Sequence, residues 1–188
     1  DREDWTGQWI GLGDPREPFS DPDSFQQDRV APAVKDVEPD PRAPLLRKTF
    51  TVDKPVRRAR AFVCGLGLCE LRLSGAKVGD DVLSTPRTDF RETVLYSASD
   101  VTRQLRTGEI AAGLMLGNGW FNGQKRYWGW QMQWYGSPRG LLQVHIEFED
   151  GTTQRVVTDP SWRGSWSPIT FNCIYDGEHY DARLEQPG

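Results

Sequence analysis

The clearest alternation of apolar and polar positions runs from Leu142 to Glu149. Leu142, Val144, Ile146 and Phe148 fall on one face of an extended chain, and Gln143, His145, Glu147 and Glu149 fall on the other. Side chains of a strand alternate with a period of two, so this pattern predicts a half-buried β-strand. Asp150-Gly151 then predicts a tight turn into a second strand over Gln154 to Thr158. Similar alternation over Leu45 to Phe50 and over Arg58 to Val63 predicts two further strands. Cys69, Leu71 and Leu73 oppose Glu70 and Arg72 and lead into Ser74-Gly75, a hairpin signature that continues at Lys77-Val78. Ile110 to Leu116 is apolar enough for a buried strand. Ser99 to Leu105 predicts one helical turn, capped by Ser99 or Asp100 and ended before Gly108.

Between Gly11 and Ala43 the chain is rich in proline and charge, and its large apolar groups, among them Phe19, Phe25 and Val30, are scattered. Prolines remove backbone donors, so this stretch reads as a long loop or insertion. The expected organisation is an N-terminal strand near Trp5 to Ile10 with that loop over residues 1–43, packing on a β-domain over residues 44–188. Eight or more short strands in one open sheet would leave a face and two edges uncovered, so two packed sheets are required. The predicted fold is all-β: a two-sheet antiparallel sandwich of jelly-roll type with long loops and little helix. The 19 glycines and 13 prolines in 188 residues agree with many short strands joined by turns.

A formal net charge of −4 argues against nucleic acid and against anionic membrane surfaces as partners. No apolar run approaches the ~18–20 residues of a spanning helix, and DREDWTGQW lacks the form of a signal peptide, so a soluble chain is expected. Its compartment is not set by the sequence. Three cysteines, Cys64, Cys69 and Cys173, leave at least one thiol free, and without a second close pair they do not make up a zinc set. His145 and His179 have no evident serine or cysteine partner for a nucleophilic triad.

The richest chemistry lies between Gly117 and Gly136, which hold four of the eight tryptophans, two tyrosines and a phenylalanine beside amides and a Lys-Arg pair. One strand face cannot bury so many rings, so some belong to a loop or surface. Indole faces beside amide groups suit a sugar, which is apolar on one face and hydroxylated at its edges. Asn118 and Asn122 are candidates to bond ring hydroxyls, and Trp128, Trp130 and Trp134 to stack on a sugar face, while Trp120 is expected to pack inward. The competing reading makes these rings anchors of the loop or of a partner domain. Asp80, Asp81 and Asp89 are weak candidates for calcium, which takes six to eight oxygen ligands, against the commoner role of aspartate in turns. Asp176 and Glu178 stand about 7 Å apart along one strand face and flank nothing, so they do not make the carboxylate pair of a glycosidase.

Several short motifs also occur in a recognisable order. They are Leu45-Leu46-Arg47-Lys48-Thr49-Phe50, Gly75 with Lys77-Val78-Gly79-Asp80, Thr88-Asp89-Phe90, Asp100-Val101-Thr102, Leu116-Gly117-Asn118-Gly119-Trp120, Asp150-Gly151, Thr158-Asp159 with Ser161-Trp162, and Tyr175 to Arg183. In this order the chain resembles the N-terminal β-sandwich domain of bacterial α-L-rhamnosidases of glycoside hydrolase family 78, and the Tyr-Asp-Gly-Glu-x-Tyr-Asp-Ala-Arg ending is the most specific piece. The resemblance implies a noncatalytic accessory domain. The parent enzyme would cleave terminal α-L-rhamnose with inversion on an (α/α)6 barrel that is absent from this chain. The implied partners are rhamnose-containing glycans or glycosides, the catalytic barrel and the other β-domains of the parent. Related modules bind L-rhamnose with calcium, whereas others brace the barrel. This chain departs from the family pattern at Ser74, where asparagine is common, at Leu68-Cys69 in place of a tyrosine, at Pro86-Arg87 in place of a glycine and an aromatic, and at Ile110 in place of an asparagine.

Overall fold

A computed structural model describes residues 4–13, 40–123, 126–127, 130–131 and 134–186. Most of the proline-rich stretch lies outside them. Among the described residues there are fourteen strands and no α-helix. The strands are β1 (Ile10–Gly11), β2 (Pro44–Val52), β3 (Val56–Leu66), β4 (Leu68–Leu73), β5 (Ala76–Lys77), β6 (Tyr96–Asp100) and β7 (Gly108–Gly117). They continue with β8 (Arg126–Tyr127), β9 (Trp130–Gln131), β10 (Arg139–Phe148), β11 (Thr153–Val157), β12 (Arg163–Trp166), β13 (Ile169–Cys173) and β14 (Gly177–Tyr180).

Two five-stranded sheets pack face to face. Sheet one runs β6-β3-β10, with β1 and β11 both pairing with β10, and sheet two runs β12-β2-β7-β4-β5. All of these pairings are antiparallel. The predicted two-sheet antiparallel sandwich is therefore the observed one. Leu142, Val144, Ile146 and Phe148 of β10 point inward to the same core as Leu46, Leu71, Leu73, Ala112, Leu114 and Leu116 of sheet two. Each buried Leu, Val, Ile or Phe among them contributes on the order of 1.5–3 kcal/mol relative to exposure. Asp150-Gly151 forms the expected turn, with Gly151 at a φ of 81° and Gly151 N–H donating to Phe148 O at 3.0 Å.

Gly67 carries the chain from sheet one into sheet two between β3 and β4. Its φ is 96°, and a Cβ there would stand 2.3 Å from Gly117 O, so only glycine fits at this crossing. The N-terminal segment is laced to sheet one. Thr6 N and Oγ1 donate to Gln143 Oε1 at 3.0 and 2.9 Å, Gln143 Nε2 donates to Asp4 O, and Ile10 pairs with Gly140.

The expected helical turn begins later than the sequence predicts. Tyr96 to Asp100 extend along β3 as the edge strand β6, and the turn starts at Val101, whose carbonyl accepts from Leu105 N at 3.2 Å. Asp100 does cap it, with Oδ1 accepting from Thr102 N at 2.9 Å, but Ser99 is still strand. Tyr-Ser-Ala-Ser-Asp offers no apolar alternation, because an edge strand does not need one. All three cysteines are buried and free, and burial pushes the Cys64 thiol up to about 12.

Lys48 of β2 ties sheet two to the loop after β11, its Nζ lying 2.7 Å from Asp159 Oδ2. That bond, with bonds from Ser161, holds the Asp159 carboxyl at about 2 against an ordinary 3.8. A depressed folded-state value stabilises the fold above the ordinary value and ceases to do so as pH falls through the folded one. The stability gap between the wild type and Asp159→Asn is thus expected to close as pH drops from about 4 to about 2. Urea unfolding across that range checks this, and a gap that persists unchanged at pH 2 contradicts it.

Candidate functional site

The site is built from the residues that follow β7. Gly117 ends the strand, and Asn118 O accepts from Phe121 N at 3.2 Å and from Asn122 N at 3.0 Å, closing a turn. Asn118 and Asn122 are 0% and 1% exposed. The Asn118 backbone N–H donates to Asn172 Oδ1 at 2.7 Å, and Asn118 Nδ2 donates to Pro41 O at 3.0 Å and Asn172 O at 2.9 Å. Asn122 Nδ2 donates to Asp40 O at 3.0 Å and to Asn118 Oδ1 at 2.8 Å. Both amide nitrogens, on residues that the sequence offers as candidates for sugar hydroxyls, donate to carbonyl oxygens of the protein itself. They fasten the segment before β2, the start of the aromatic loop, and β13 into one unit.

The far stem of the loop returns beside the near one. Asn122 and Trp134 form an isolated antiparallel bridge, and Tyr135 N donates to Phe121 O at 2.9 Å. Trp134 is partly buried at this base, and its Nε1, like Asn122 Oδ1, is buried without a hydrogen-bond partner among the described residues. Below them a second apolar cluster gathers Leu66, Phe90, Phe121 and Tyr135. Phe121 meets Phe90 edge-on at 5.3 Å and stacks on Tyr135 at 5.6 Å. Trp128 lies outside the described residues, and only the backbone of Trp130, in the β8–β9 hairpin, is described.

Above this cluster stands an aromatic ledge. Trp120 packs its inner side on the cluster, as expected, yet remains partly exposed. Tyr175 meets its ring edge-on, with centroids 5.5 Å apart, and is itself 54% exposed. The Arg87 guanidinium lies 5.0 Å over the Trp120 ring. Tryptophan gives the strongest such cation–π contact, so Arg87 is held at the ledge. Three separate loops thus supply the ledge, and neither periodicity nor spacing links residues 87, 120 and 175. The available signals were Tyr175 opening the C-terminal motif and Arg87 standing where an aromatic is usual.

At Gly117, where the ledge segment begins, lies a groove of about 220 Å³ lined in part by Leu68, Leu83, Met115, Gly117, Ile169 and Glu178. Leu68, which lines the groove, also packs against Gly119, the residue before Trp120. Lys77 reaches into the groove, 3.3 Å from Glu70, and donates to Asp81 O at 2.7 Å. Of the aspartates with calcium potential, Asp81 Oδ2 accepts from Ser97 Oγ at 3.2 Å, and Asp80 is exposed. Asp89 is engaged by Arg91 at 2.7 Å, whose bonds hold its carboxyl at about 2. Among the described residues no three His, Cys, Asp or Glu side chains gather as a metal set. Asp176 falls in the turn before β14, so only Glu178 and Tyr180 share that strand, and all of β14 is exposed.

The family model of the α-L-rhamnosidase N-terminal domain matches residues 54–188. The chain belongs to that family. Among curated relatives, an α-L-rhamnosidase of Formosa agariphila is 38% identical over 148 residues, 76% of this chain and 15% of the relative. One of Streptomyces avermitilis is 37% identical over 161 residues, 85% of this chain and 15% of the relative. Among solved structures, Streptomyces avermitilis α-L-rhamnosidase complexed with L-rhamnose superposes with a TM-score of 0.73 at 37% identity, covering 78% of this chain and 14% of that one. Native α-L-rhamnosidase from Aspergillus terreus gives 0.75 at 33% identity, covering 89% and 20%. The chain spans 15–19% of the length of the curated relatives, as an N-terminal domain of such enzymes does. No described helix is long and apolar enough to cross a membrane.

Proposed function

We propose that this rhamnosidase N-terminal domain is a noncatalytic accessory module of an enzyme that hydrolyses terminal α-L-rhamnose, and that it holds rhamnosyl groups at the Trp120–Tyr175 ledge. The observation that carries this reading is the contact of an exposed tyrosine with a partly exposed tryptophan under the Arg87 guanidinium, on the strand-end segment whose Gly117 also lines a groove of about 220 Å³. The ring faces meet the C–H side of a deoxy sugar, while Glu178 and the Tyr175 hydroxyl accept from or donate to its hydroxyls. The complex of a 37% identical rhamnosidase with L-rhamnose supports the choice of sugar. Asp80 and Asp81 beside the groove are the candidate oxygen donors should calcium assist, and Trp128 and Trp130 are candidates to extend the ledge.

A second reading rests on a different observation. Val82 and Leu83 are 80% and 65% exposed on the rim of the same groove, and Leu83 is held at a φ of 54°. Bulky residues rarely adopt that region, so the backbone here is held in place to present apolar groups outward. Such a surface suits contact with the catalytic barrel of the parent. Calorimetric titration with L-rhamnose, in calcium and in EDTA, separates the readings. Binding that Tyr175→Ala abolishes supports the ledge, and no heat up to tens of millimolar sugar overturns it in favour of bracing.

A further inference from the structure

The outer face of sheet one carries a charge pattern that the net charge of −4 conceals. Across β11, β10, β3 and β6 one register row reads Arg155, His145, Arg60, Asp100. Adjacent strands lie about 4.8 Å apart, so two arginines flank one histidine directly. In the next row Glu147 stands opposite Arg58, and the irregularity in the β3–β10 register leaves Arg57 as an extra residue on the same face. Arg57 takes Glu147 at 2.8 Å. That leaves Arg58, Arg60 and Arg155 exposed with no carboxylate within salt-bridge distance among the described residues, and Asp100 is engaged by Thr102. Burial, and secondarily the Arg155 charge, hold the His145 pKa below its ordinary value, and His145 Nε2 is buried without a partner.

These cations line a groove of about 360 Å³ with Phe62 and His145 in its floor. Edge-on ring contacts continue across the face from His145 to Phe62 at 5.4 Å, Phe62 to Tyr96 at 6.1 Å and Tyr96 to Trp5 at 5.6 Å. Arg60 faces Asp100, and Arg58 faces Glu147, which Arg57 already takes, so four arginines meet two carboxylates on this face and leave guanidinium donors for an external oxyanion. Guanidinium groups bind sulfate and carboxylate through paired N–H donors, and the ring row supplies apolar contact to a saccharide chain.

We infer that this face is a second saccharide surface, distinct from the ledge, which takes the anionic groups of an acidic polysaccharide, either sulfate esters or uronate carboxylates. The choice of a saccharide over other polyanions rests on the rhamnosidase reading. Electrophoresis of the 188-residue chain through native gels containing dextran sulfate, polygalacturonate or uncharged dextran tests it. Retardation is expected in at least one charged gel and none in dextran, and the two charged gels distinguish sulfate from carboxylate. Arg60→Gln with Arg155→Gln should weaken the interaction roughly tenfold or more, since two charge-assisted bonds are lost. Arg163→Gln, which removes one charge from sheet two and none from this face, should leave it unaltered. Both substituted arginines of the double variant are exposed, so its urea midpoint should match the wild type and its L-rhamnose titration should be unchanged. No retardation in either charged gel, equal weakening by Arg163→Gln, or stronger retardation by a single-stranded oligonucleotide overturns the inference. None of these outcomes touches the ledge.

Discussion

Asn118→Leu is expected to destabilise the chain by about 2–4 kcal/mol, seen as a fall of roughly 1–2 M in the urea midpoint. The substitution keeps volume and removes chemistry. It deletes the bonds to Pro41 O, Asn172 O and Asn122 Nδ2 at a site that water does not reach. A net hydrogen bond contributes about 1 kcal/mol, but a buried carbonyl left without a donor costs about 1–3 kcal/mol more. Asn172 O is that carbonyl, whereas Pro41 O keeps donors from Asn172. If Asn118 served a sugar instead, the variant would lose binding and keep its midpoint. That result would overturn the role given to it here.

Phe121→Ala should cost about 3–5 kcal/mol, the range for truncating a buried phenylalanine. Phe121 is fully buried between Phe90 and Tyr135, and no polar group can fill the void. This cluster lies apart from the main core between the sheets and directly beneath Trp120. The loss should therefore reach the ledge, loosening Trp120 and weakening any rhamnose binding. Phe121→Leu, which keeps most of the volume, should recover more than half of the stability. Equal losses for Ala and Leu would show that edge-to-face geometry, and not volume, dominates at this position.

Much of the sandwich was legible in the sequence because its central strands turn one face toward a common core. β2, β3, β7 and β10 carry the alternation or the apolar run that a core imposes, and Asp150-Gly151 marks its own turn. Edge strands were not legible. β6, β12 and β14 are largely exposed on both faces, so nothing forces a period of two on Tyr-Ser-Ala-Ser-Asp, Arg-Gly-Ser-Trp or Gly-Glu-His-Tyr.

The proposed site draws on the segment that the sequence singled out, and its other parts come from elsewhere in the chain. Aromatic density pointed to the segment after Leu116, and the ledge stands there. Asn118 and Asn122 read as free polar groups in a glycine-rich loop, because their partners lie 54 to 82 residues away in the chain. Tyr175 and Arg87 also reach Trp120 from separate loops remote in sequence. A whole-chain charge of −4 likewise averages over a sheet face that carries Arg58, Arg60 and Arg155.

The most direct test of the account is a nitrogen–proton correlation spectrum of the chain titrated with L-rhamnose, with calcium present. The Trp120 indole N–H and the backbone amides of Gly117 and Glu178 are predicted to shift progressively and saturably, and to stay still in Tyr175→Ala. Unmoved signals at those three positions, or shifts confined to another face of the sandwich, would contradict a rhamnose site at the Trp120–Tyr175 ledge.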